Sequence, residues 1–102
     1  MFKYTFYIGL NDRLTNKQII STEEAKKIVA KICKDCTITE ATGAWNDVYE
    51  TTLIVNVITF NVCLNTDFYC QQLGEALNQA VILWDMQKLQ SNEYIVKHIE
   101  AA

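Results

Sequence analysis

Glycine is scarce in this chain and histidine nearly absent: Gly9, Gly43 and Gly74 stand far apart, and His98 is the one imidazole. Scattered glycines exclude a phosphate-cradling loop and a dinucleotide fingerprint, both of which need glycines clustered so that backbone N–H groups reach the ligand. A single histidine gives a serine or cysteine nucleophile no partner that a third group is singled out to orient, so a catalytic triad is not expected. Long apolar runs are missing too. No window approaches the roughly 18 to 20 apolar residues of a spanning helix, and Met1-Phe2-Lys3-Tyr4-Thr5 alternates instead of joining a basic segment to a leucine-rich one. The expectation is a soluble, unexported protein with no membrane partner.

Basic charge is the third shortage. Residues 1–34 hold seven Lys/Arg against three Asp/Glu, residues 35–102 hold two against nine, and no basic side chain falls between Asp35 and Gln87. Sheets that bind RNA need a basic rim and paired aromatics on their central strands, so direct nucleic-acid binding is not expected. The acidic residues Asp35, Glu40, Asp47, Glu50, Asp67, Glu75 and Asp85 read most simply as a solvated surface. The sharper alternative is a surface complementary to a basic protein partner, such as the channel of a nucleic-acid-processing enzyme.

Four cysteines, Cys33, Cys36, Cys63 and Cys70, are too few for a stapled secreted domain and read as reduced thiols. Cys33 and Cys36 have redox-pair spacing, but they close a helix where redox pairs open one, and no second pair completes a zinc set. No metal and no cofactor are expected.

What the chain does have is a globular balance, half hydrophobic and 21% charged over 102 residues, which suits one domain spanning 1–102. Thr51 to Phe60 is a β-branched run without glycine or proline, long enough for a central strand, with Leu53, Val55 and Val57 on one side and Ile54, Ile58 and Phe60 on the other. Tyr4 to Leu10 alternates as a first strand whose even positions face the core, and the polar Asn11 to Gln18 reads as a surface loop with a mobile tip. Ser21-Thr22-Glu23-Glu24 is a capping box, followed by the apolar stripe Ala25, Ile28, Val29, Ile32, Cys33. Thr37 to Trp45 is a strand in which Gly43 marks a bulge or close approach, and Asn46-Asp47 turns it into the central run. Asn65 caps a second helix carrying Tyr69, Cys70, Leu73, Ala76 and Leu77, and Ala80 to Met86 is the last strand. The tail 91–102, with Tyr94, Ile95 and Ile99, reads as a short helix or an added edge strand.

The order βαββαβ predicts an α+β, ferredoxin-like fold: a four-stranded antiparallel sheet with both helices on one face, first and third strands central, and a short C-terminal extension. The opposite face then collects Tyr7, Ile54, Ile58, either Ile82 or Trp84, and Trp45, an apolar patch that calls for a second copy or for the tail folded back. A homodimer through Tyr7, Trp45, Ile54, Ile58 and Trp84 is the expected solution.

Three segments, Lys3-Tyr4-Thr5-Phe6-Tyr7-Ile8-Gly9-Leu10-Asn11-Asp12, Ala41-Thr42-Gly43-Ala44-Trp45 and Glu75-Ala76-Leu77-Asn78-Gln79, resemble small ferredoxin-like proteins of phages and mobile elements, over most of the chain to about Met86. That group includes inhibitors of host defence nucleases, anti-CRISPR proteins among them. The resemblance implies a protein inhibitor and carries no site residues with it; the expected function is a non-enzymatic inhibitor in the cytoplasm of a host bacterium, with the acidic surface of Glu40, Asp47, Glu50, Asp67 and Glu75 docking on its partner. The alternative is a small-molecule-binding regulatory homo-oligomer of the same fold. An enzymatic reading, resembling ferredoxin-like monooxygenases or isomerases that work in a cavity between sheet and helices, draws on Tyr4, Tyr7, Trp45 and His98.

Overall fold

A computed structural model describes residues 1–60 and 64–90. The elements run β1 (Phe2–Gly9), α1 (Thr22–Cys33), β2 (Thr37–Trp45), β3 (Val48–Thr59), α2 (Thr66–Ala76) and β4 (Leu83–Lys88). The strands form one antiparallel sheet in the order β2-β3-β1-β4, so the first and third strands are central, as the element order predicts. Tail residues Tyr94, Ile95, His98 and Ile99, and also Cys63, lie outside the described residues.

Alternation decides which side of the sheet is covered. Tyr4, Phe6 and Ile8 of β1 and Leu53, Val55 and Val57 of β3 are buried against Ala25, Val29 and Cys33 of α1 and Leu73 of α2, in one core. Both helices therefore lie on the same face. The Ser21 hydroxyl accepts from the Glu24 N–H at 3.2 Å and the Asn65 side chain from the Phe68 N–H at 3.1 Å, so both helices begin at the residues whose side chains cap them. Asn46 and Asp47 take φ of 48° and 64°, the left-handed pair of a two-residue hairpin loop, and β2 pairs with β3 without interruption from Trp45↔Val48 to Thr37↔Asn56. Gly43 is thus a close approach and not a bulge.

Two expectations need correction. The last strand starts at Leu83, not Ala80, because the chain leaves α2 through Asn78 at positive φ and the Gln79 N–H turns back to the Gly74 carbonyl at 2.8 Å. Register then pairs Trp84 with Phe6 and Leu83 with Tyr7. Directly paired residues share a face, so Trp84 lies on the helix side with Tyr4, its ring centroid 6.3 Å away, and Leu83 takes the place expected of it on the open face. Ile82 packs against the core as well.

The open face mixes apolar and polar side chains. Beside Tyr7, Trp45, Ile54, Ile58 and Leu83 it carries Thr37, Thr39 and Asn56, with Thr5 and Thr52 buried between the strands, and the Thr5 hydroxyl donates to Asn56 Oδ1 at 2.8 Å. Tyr7, Trp45, Ile58 and Leu83 remain exposed, so the expected apolar patch is present and interrupted by polar groups.

Replacing fully buried Leu53 by alanine is expected to cost about 2–5 kcal/mol in urea unfolding, whereas Ile58→Ala, further along β3 on the open side and 52% exposed, should change stability by no more than about 0.5 kcal/mol.

Candidate functional site

The open face is closed at one end by three connections: the loop after β1, the β2–β3 hairpin and the loop after α2. Between them lies a pocket of about 410 Å³, within the range of about 300 to 1,000 Å³ usual for small-molecule sites. Its floor is β1 and β3, presenting Tyr7, Gly9, Glu50 and Thr52, and its walls include Trp45 and Val48 on one side and Asn11 to Arg13 with Gln79 to Val81 on the other.

Two glycines leave room for polar side chains on this floor. Glu50 stands opposite Gly43 on β2, and its carboxylate lies in the space that a Cβ at Gly9 would fill. From there Glu50 Oε2 accepts from the Asn11 N–H at 3.0 Å. Thr52, paired with Gly9 on one side and Ala41 on the other, is buried, and its hydroxyl has no hydrogen-bond partner among the described residues. Tyr7 donates its phenol to Asp85 Oδ2 at 3.0 Å, and this bond raises the phenol above its usual range, holding the proton on Tyr7.

One wall depends on Asp12. The loop after β1, expected at the surface with a mobile tip, is anchored at its base: the Asp12 carboxylate is buried and receives the Asn78 side-chain amide, the Leu14 N–H at 2.9 Å and the Thr15 N–H at 3.2 Å. Gln79 Nε2 adds a bond to the Asn11 carbonyl at 2.7 Å, and Asn11 bridges to Gln18. The loop is therefore clamped to the end of α2. The Asn78 amide, with the Leu14 and Thr15 N–H groups, holds the Asp12 carboxyl below its usual range.

Of the residues expected to form a site, Tyr7, Trp45 and Glu50 come together here. Ile54 and Ile58 share the open face but do not line the pocket, and Trp84 is on the other side. The five carboxylates expected to dock a partner do not share a surface. Glu40 is on the helix side of β2 paired with Lys26, Asp47 is in the hairpin turn, Glu50 is on the open face, and Asp67 and Glu75 sit in the first and last turns of α2. Tyr4 is in the core. Sequence reading missed Asp12, Thr52 and Gln79 as site residues; the isolated Gly9 and Gly43 within strand patterns were the available signal.

Cys33, Cys36 and Cys70 are free thiols; burial pushes Cys33 up to about 12 and raises the other two, so none has the activated character of a nucleophile. Among the described residues no group of His, Cys, Asp and Glu is placed to hold a metal ion, and no helix is long and apolar enough to cross a membrane.

No protein-family model matches the chain, and no curated protein matches it. Among solved structures, a phage SAM lyase in the apo state is similar, with a TM-score of 0.65 and 21% identity over 84% of this chain and 78% of that one. The likeness shows a fold shared with a phage protein.

A depressed carboxyl stabilises the folded state above its unfolded pKa and loses that contribution as pH falls through the folded value. Asp12→Asn is therefore expected to lower the melting temperature at neutral pH, with the gap to wild type closing as the pH is stepped below the ordinary 3.8. A constant gap down to acid would show that the clamp does not depend on the charge.

Proposed function

We propose that the chain binds S-adenosylmethionine, or a closely related sulfonium metabolite, in the open-face pocket and acts on it as a lyase. The observation that carries this reading is the Glu50 carboxylate held on the pocket floor with aromatic Tyr7 and Trp45 in the same lining. A sulfonium or ammonium centre is attracted by a carboxylate and by aromatic ring faces, most strongly where water is excluded. The pocket volume suits a nucleoside-sized molecule, and the fold is one that a phage SAM lyase uses. Fold alone assigns no activity; the charge and shape of the site give the reading its content. We also read the β2-β3-β1-β4 order, with two helices on one face, as the ferredoxin-like arrangement.

Calorimetric titration with S-adenosylmethionine is expected to show binding, and incubation to show its loss by chromatography. Glu50→Gln should weaken binding at least about tenfold, the loss of one charge-assisted contact. A flat titration with no consumption of the compound overturns the proposal.

A second reading, docking on a host defence nuclease, draws on the hairpin tip, where Trp45 and Tyr49 are exposed on either side of Asp47. It predicts that Asp47→Lys abolishes capture of the nuclease while leaving S-adenosylmethionine binding intact; retained capture counts against it.

A further inference from the structure

The second polar feature of the floor is not explained by a cation alone. The position that a Cβ at Gly43 would occupy lies 2.5 Å from Thr52 Oγ1, 3.2 Å from Trp45 Nε1 and 3.6 Å from Glu50 Cγ. Three side chains thus converge over one bare stretch of backbone. Two of them carry hydrogen-bond donors, a hydroxyl and an indole N–H, and the hydroxyl is enclosed with no partner among the described residues, in a side chain belonging to a residue only 8% exposed. Leaving a buried hydroxyl unpaired costs free energy, so a partner supplied from outside, a water or a ligand atom, is favoured there.

We infer that Thr52 Oγ1–H, with Trp45 Nε1–H beside it, receives the carboxylate of the ligand's α-amino-acid end. The two donors suit an acceptor group, and Glu50, two residues before Thr52 on the same face of β3, stands where the neighbouring positive charge of such a zwitterion would be met. Trp45, 55% exposed at the pocket edge, has room to shift within the pocket so that the oxygen reaches Thr52 with the indole N–H still on it. This assignment rests on the proposed S-adenosylmethionine site and specifies how one end of the ligand is held.

The test compares S-adenosylmethionine with its decarboxylated form on wild type and on Thr52→Val, which keeps the shape of the side chain and removes the hydroxyl. The valine variant is expected to melt no lower than wild type, since no bond is lost in the free protein. It should bind S-adenosylmethionine about 10- to 100-fold more weakly, while its affinity for the decarboxylated compound matches that of wild type. Thr52→Ser should restore binding of the carboxylated ligand. Equal weakening towards both ligands, no weakening towards either, or a lower melting temperature for the valine variant overturns the role of Thr52 and leaves the site itself standing. Wild type that binds neither compound overturns the site and this inference together.

Discussion

The two-residue period of β3 sends Leu53, Val55 and Val57 under the helices and turns Glu50, Thr52 and Asn56 the other way. A slip of one residue would exchange these sets, putting a carboxylate, a hydroxyl and an amide into the core and exposing three aliphatic side chains. The core therefore enforces the register, and the register places the polar groups of the site. Because β3 pairs on both sides, the same constraint aligns Gly9 and Gly43 with the residues whose side chains need their empty space.

The sheet supplies a floor, but a floor alone is a surface. Depth comes from connections that rise beyond the strand ends: the hairpin is closed by its own ladder up to Trp45↔Val48, and the other two are joined to each other mainly by side chains. Asp12 and Asn78 join two of them, Gln79 and the Asn11 carbonyl reinforce the junction, and the Asn11 N–H ties the same loop to Glu50. The charged group facing the pocket and the wall beside it are thus parts of one hydrogen-bonded unit, so a disturbance at the end of α2 reaches Glu50 through two intervening bonds.

Much of the scaffold was legible in the residues because it depends on local chemistry. Ser21 and Asn65 announce helix starts, Asn46-Asp47 announces a hairpin, and the alternation of Tyr4, Phe6 and Ile8 announces a buried face. The side taken by Trp84 was not legible, since an apolar run has no intrinsic parity and its orientation is set by pairing with β1, nearly eighty positions earlier. The site was harder still. Glu50 looks like any other acidic surface residue in sequence, and only its position over Gly9 separates it from Glu40, which is paired with a lysine on the opposite side of the sheet. Asp12 looked like a turn residue, and it is one, accepting from Leu14 and Thr15; its second role needs Asn78, which no local pattern connects to it.

The Asp12–Asn78 contact spans 66 positions of chain. Joining ends that far apart in an unstructured polypeptide carries a loop-closure cost, and the cost falls sharply once β1 and β3 have paired and α2 has docked. The shape of the mouth thus depends on the hydrophobic layer beneath it, which holds the two loops near each other and leaves the side chains that join them little further to close.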